Sequence, residues 1–328
     1  MFKNRTELMC IAICGIIFYH LAFHGIPIGR LNIGYAGVDI FMLLSGFGVA
    51  HSLSHNSLKQ FYINRARRIL PLWVLTCVGC QLVKTGGVSF LRLICDITTL
   101  SFYINQDSVL EWYLQTLILF YLISPLIKFL IEKSGWLFVS LLSVSIIFFC
   151  EFIPIHHWQY ANAIPRFSLF VLGMTCYIKN NSNLSYKITL PLFILGIVYF
   201  FRNSHYLFSS LCIPFVIQGI NFIFDRFSII KSSPIVNWIG RHTLELYVGN
   251  TIAAELIHKF LLSQGYNPIT VIVFDLCITI LLSFVLTIVN NIFKYRNRNE
   301  KVYCDGACLV PAFQHGCSCG RRVRDARR

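Results

Sequence analysis

Apolar residues recur along this chain in long runs, and ten of them approach the length of a bilayer crossing. They cover about residues 8–24, 35–53, 69–84, 111–131, 136–153, 164–178, 188–201, 206–224, 243–261 and 268–293. Because a helix needs about 20 apolar residues to cross a hydrocarbon core, the pattern predicts an all-α, polytopic membrane protein with about ten transmembrane helices. The sixth and seventh runs are the shortest. The first run begins a few residues after Met1 and lacks a small-residue cleavage site, so it is expected to be a retained span.

Composition strengthens this reading. The chain is 56% hydrophobic and only 13% charged, with a mean hydropathy of +0.65, which is too apolar for a water-soluble domain of this size. Charge then sets orientation. With the N-terminus in the cytoplasm, the inside segments hold Lys3, Arg5, Lys59, Arg65, Arg67, Arg68, Lys128, Lys133, Lys179, Lys187, Arg226, Lys231, Arg241 and the basic C-terminus. Only Arg30, Lys84, Arg92, Arg166, Arg202 and Lys259 fall outside. This asymmetry predicts that both termini are cytoplasmic. The net charge of +14 then reflects topology and contact with anionic lipid, and calls for no nucleic acid partner.

The vocabulary changes near residue 299. Residues 1–298 form the expected integral membrane domain, and 299–328 a basic, cysteine-containing tail expected to be disordered. Nine of the 13 cysteines lie in or beside spans, where a thiol behaves as a small hydrophobe. Cys77 and Cys80 make a C-x-x-C inside a predicted helix. In the tail, Cys304, Cys308, Cys317 and Cys319 accompany His315 at spacings that fit no familiar zinc finger. No metal site is expected.

Ionisable residues inside spans are costly and therefore functional candidates. His20 and His24 stand one turn apart at the end of the first run. His20 and Asp39 are expected at similar depth, where a carboxylate would fix the tautomer of the imidazole and raise its basicity. Hydrogen bonding of each to a neighbouring helix is the alternative. Metal binding by the two histidines would need a third ligand, and none stands beside them. In "FYINRARRILP", residues 61–71, Arg65 and Arg68 share one helical face and form a fork suited to phosphates, although a basic patch there also serves as an inside anchor. Glu245 is a further polar residue in a span, expected to pair with an Arg, and Ser45 is expected to pack beside Gly46.

Five ordered segments carry a resemblance: "GYAGVDIFMLLSGFGVAHSL" at 34–53, "FYINRARRILPLW" at 61–73, "EWYLQTLILFYLISPLI" at 111–127, "RFSLFVLGM" at 166–174 and "IGRHTLELYV" at 239–248. Together they resemble the successive signatures of the type 3 acyltransferases, over about residues 5–293. The resemblance implies a ten-helix enzyme of the bacterial inner membrane that moves an acyl group, usually acetyl, from cytoplasmic acyl-CoA to a hydroxyl of an envelope glycan. It implies acyl-CoA as donor substrate and no cofactor. By motif, His20 matches the first-helix histidine, Asp39 and Ser45 the "G-V-D-x-F…S-G" segment, and Arg65 and Arg68 the R-x-x-R pair. The chain departs from the family at Met9, where an Arg is common, at Leu117, where a Glu is common, and at Asn250, where a His is common.

The chemistry so implied needs a base for the acceptor hydroxyl and a donor for the developing oxyanion. His20 is the expected base, oriented by Asp39. Arg65 and Arg68 are expected to hold the acyl-CoA phosphates, and Trp112, Tyr113 and Arg166 to line the entry of the acceptor sugar. For the two aromatics an interfacial belt is the alternative. A catalytically inactive scaffold and a transporter of envelope precursors are the rival functions, the second expected to show inverted repeats.

Overall fold

The computed structural model describes residues 4–21, 33–105, 112–152, 158–180, 184–202, 205–226, 233–260 and 265–307. Among them every regular element is helical: α1 (Arg5–Leu21), α2 (Ala36–His55), α3 (Leu58–Thr85), α4 (Phe90–Ile97), a π-helical turn (Ser101–Asn105), α5 (Trp112–Phe152), α6 (Trp158–Ile178), α7 (Tyr186–Phe201), α8 (His205–Arg226), α9 (Pro234–Arg241), α10 (Thr243–Phe260) and α11 (Pro268–Ala307). Where the structure describes them, the ten apolar runs lie almost wholly on helix. Runs four and five share α5, which breaks at Gly135 (φ 57°, ψ −135°), a conformation that a residue without Cβ adopts at little cost. Six helices, α2, α3, α5, α6, α8 and α11, are long and apolar enough to cross a membrane by length and composition. Large apolar side chains such as Leu122, Leu126, Phe129, Leu141, Ile280, Leu281 and Ile288 stay exposed on α5 and α11, as expected of faces turned to lipid.

Helix starts follow local rules. Ser57, Ser185 and Ser233 each accept a hydrogen bond from a first-turn amide of α3, α7 and α9, meeting one of the donors a helix leaves unpaired. Small residues then set the crossings. A Cβ on Gly46 of α2 would run into the Phe170 carbonyl of α6, and one on Gly173 into the Leu43 carbonyl. Such pairs let backbones approach closely where lipid offers no hydrophobic drive.

The α1–α2 crossing decides the register that matters for function. Gly34 packs on Gly15 and Tyr19, and Gly37 on Ala12 and Ile16. Asp39 therefore lies level with the middle of α1, about two turns, or roughly 10 Å, short of His20. The expected shared depth of His20 and Asp39 is corrected: the two helices overlap less than equal starts at one membrane face would require.

Three elements lie outside the ten-run pattern. α4 folds back on α3, with Trp73 Nε1 donating to the Ile97 carbonyl at 3.0 Å and Gln81 Nε2 to Asp96 Oδ2 at 2.8 Å, and the π-helical turn follows it, its Phe102 carbonyl accepting from the Tyr160 hydroxyl of α6. α9 packs its Gly240 on Thr6. The expected boundary at 298/299 falls within α11, whose backbone stays helical to Ala307. His24, the side chain of Cys304, and Cys308, His315, Cys317 and Cys319 lie outside the described residues.

Candidate active site

Five helices enclose one cleft at the end of the bundle where α1 starts. Its walls are Arg5 and Met9 of α1, Phe41, Ser45 and Gly48 of α2, Arg65, Arg68 and Ile69 of α3, Tyr113, Leu117 and Tyr121 of α5, and Thr243, Leu244 and Tyr247 of α10. Open mouth included, about 570 Å³ of empty space lies between these walls. The i, i+3 spacing predicted for Arg65 and Arg68 does bring both to one place. Arg65 is half-buried, donates from Nη2 to the Gly48 carbonyl at 2.9 Å, and stacks on Tyr121 and Phe61 with ring distances of 5.2 and 5.6 Å. It is a preset cation. Arg68 and Arg5 are exposed.

Sequence reasoning missed Arg5, counted only as an inside charge. Its position one turn before Met9, on the same helical face, was the available signal. Its guanidinium reaches across to Gly48, whose absent Cβ would lie 3.8 Å from Nη2. Arg5 and Arg65 thus meet at the bare face of Gly48.

From this charged mouth the cleft narrows between apolar and aromatic walls. Tyr247 lies at its side, and Asn250, three residues later on α10, receives His20: His20 Nδ1 and Asn250 Oδ1 are 2.6 Å apart, both residues buried. The expected partner was Asp39. Asp39 is instead occupied on both oxygens, accepting from Arg166 Nη2 at 3.2 Å on Oδ2 and from Ser210 Oγ at 2.8 Å on Oδ1. Asn250, which no ionisable-residue search selects, replaces it beside His20.

Of the three residues expected at the acceptor entry, Arg166 is 0% exposed. Besides Asp39 it donates to the Asn162 carbonyl at 2.7 Å and lies 4.9 Å from the Trp112 ring centroid. A guanidinium enclosed this way ties α2, α5 and α6 together, and through Asp39 and Ser210 also α8. Tyr113 sits in the arginine cleft, its ring 5.0 Å from that of Tyr247. Glu245 accepts from Asn290 Nδ2 at 2.6 Å and not from an Arg. Ser45 lines the cleft, and close packing falls to Gly46. Among the described residues no three His, Cys, Asp or Glu side chains gather as a metal site.

Among the described residues, an all-helical bundle with six membrane-length helices and a cleft lined by three arginines defines a multi-pass membrane protein with a basic cleft. The acyltransferase domain family, acyltransferase 3, matches residues 8–288, and the chain belongs to that family. It is also similar to the putative acetyltransferase ORF330 of Acidianus two-tailed virus, 29% identical over 194 residues. That match covers 55% of this chain and 59% of the viral protein. No solved structure matches it.

Proposed function

We propose that the protein is a membrane O-acyltransferase that takes an acyl group, acetyl in the simplest case, from acyl-CoA and places it on a hydroxyl of a cell-envelope glycan. The observation that carries this is the convergence of Arg5, Arg65 and Arg68 on one cleft also lined by Tyr247, three residues before Asn250, the partner of the buried His20. Three guanidiniums around one mouth match a ligand with several phosphates, which such groups bind bidentately. The long pantetheine arm would follow the apolar neck past Met9, Phe41, Ile69 and Leu117, bringing the thioester toward Tyr247 and His20.

The reaction balances with one base. His20 takes the proton of the acceptor hydroxyl as its oxygen attacks the thioester carbonyl, the C–S bond breaks, and the departing thiolate receives that proton from the imidazolium. The products are an ester and free CoA. The charge asymmetry of the sequence supports placing the arginine mouth in the cytoplasm of a bacterial cell, where acyl-CoA is made, with the multi-pass bundle in the inner membrane. Tyr113 belongs to the donor side in this reading. Arg5 also supplies the cation that Met9 does not.

The test is equilibrium binding of CoA to purified protein. Each charge-assisted contact is worth roughly 1.5–3 kcal/mol, so Arg65→Ala/Arg68→Ala and Arg5→Ala should each weaken CoA by about tenfold or more while leaving the protein monodisperse. Unchanged affinity in all of them would reduce the arginines to topology anchors. Acceptor-dependent release of free CoA by the unaltered protein then separates an enzyme from a scaffold or transporter.

A further inference from the structure

His20 heads a chain of buried polar groups that runs from α1 through α10 into α11. Asn250 Oδ1 faces His20 Nδ1 at 2.6 Å, Asn250 Nδ2 donates to Thr279 Oγ1 at 3.2 Å, and Thr279 Oγ1 donates to Asp275 Oδ1 at 3.4 Å. Asn250 and Asp275 are 0% exposed and Thr279 1%. Nothing in the apolar pattern of α10 or α11 requires these groups, and polar side chains this deep in a bundle carry a cost unless they serve one another or the chemistry.

The direction of every bond follows from its far end. Asp275 Oδ1 is the acceptor of the Thr279 hydroxyl, so the Thr279 proton points to Asp275. The Thr279 oxygen is then left to accept from the Asn250 amide, which turns the Asn250 carbonyl toward His20. A carbonyl only accepts, so His20 must carry its proton on Nδ1, and the lone pair on Nε2 is left to take one. Bonds aligned head to tail in this way polarise one another.

We propose that Asn250, Thr279 and Asp275 are positioning residues that form a relay holding His20 in the Nδ1–H tautomer, with Nε2 as its proton-accepting atom. The relay replaces the direct carboxylate expected from Asp39: with an amide beside the histidine, the Asp275 carboxyl stands three hydrogen bonds away. The α10–α11 crossing is built for it. Gly249 lets the helices close, since a Cβ there would lie 2.7 Å from Ser283 Oγ and 3.0 Å from the Thr279 carbonyl.

The proposal concerns the proton position on His20 and rests on the acyl-transfer reading only for its consequence in turnover. The first measurement is the ¹⁵N NMR spectrum of histidine-labelled protein in detergent, with the His20 signals identified by their loss in His20→Ala. Protonated Nδ1 and bare Nε2 are expected. Thr279→Val, nearly the same shape, should mix the tautomers and lower kcat by about tenfold, the worth of one net hydrogen bond, with the KM for acyl-CoA unchanged; Thr279→Ser should restore both. A protonated Nε2 in the unaltered protein, or a Thr279→Val spectrum and kcat like those of the parent, overturns the relay. Transfer that survives His20→Ala overturns the assignment of His20 as base, while the spectrum still decides the relay. If Thr279→Val does not purify as a monodisperse protein, the spectrum of the unaltered chain decides alone.

Discussion

Asp39 and His20 show why residue identity and residue role separate in a membrane bundle. Both are ionisable, both are buried, and both were selectable because water is not there to solvate them. Their partners are not encoded nearby: Arg166 is 127 positions from Asp39, and Asn250 is 230 positions from His20. With Asp39 assigned to an ion pair, its substitution becomes a stability experiment. Asp39→Asn strands the Arg166 guanidinium in a dry interior, at a cost of about 3–5 kcal/mol. The thermal midpoint of the purified protein should fall well below that of the parent, and Asp39→Asn/Arg166→Met should recover part of the loss. A normal midpoint with lost transfer would return Asp39 to the chemistry.

Among the elements, α2 shows most directly how small residues carry the fold. It presents Gly34, just before its start, and Gly37 to α1, Gly46 to α6, and Gly48 to the arginines. Two of these glycines make opposite predictions. Gly46→Ala forces the Phe170 backbone aside and should cost about 1–3 kcal/mol of stability, the usual range for overpacking, seen as a lower unfolding midpoint. Gly48→Ala meets only the movable end of Arg5 at 3.8 Å and should keep the parental midpoint. Equal effects of the two would mean that α2 and α6 are not held at the Gly46–Gly173 crossing. The position of α2 in the chain was plain from its apolar run. Which of its faces meets α1 and which α6 was not, because a run apolar all round carries no stripe to read.

On the scale of the whole molecule, orientation joins the charge pattern to the cleft. Arg5, Arg65 and Arg68 line the mouth at the end where α1 starts, and the ten-span topology expected from the sequence puts the basic segments on that same side. Reporter fusions after Lys59 and after Arg298 should both report a cytoplasmic location. An outside signal from either would reverse the cleft relative to the acyl-CoA pool and break the topology with it.

The all-helical class, the places of the long apolar helices and the family were legible in the chain by itself, because lipid demands long apolar segments and the five motifs are contiguous. The i, i+3 arginines were legible for the same reason: one helix fixes both. The tertiary structure decided the rest. It brought Arg5 to the face of Gly48, slid α1 along α2 so that Asp39 fell short of His20, enclosed Arg166, and joined His20 to Asp275 through Asn250 and Thr279. Each of these depends on the register between helices, which is set by a few glycine contacts and by hydrogen bonds between residues far apart in sequence, and no local pattern carries that information.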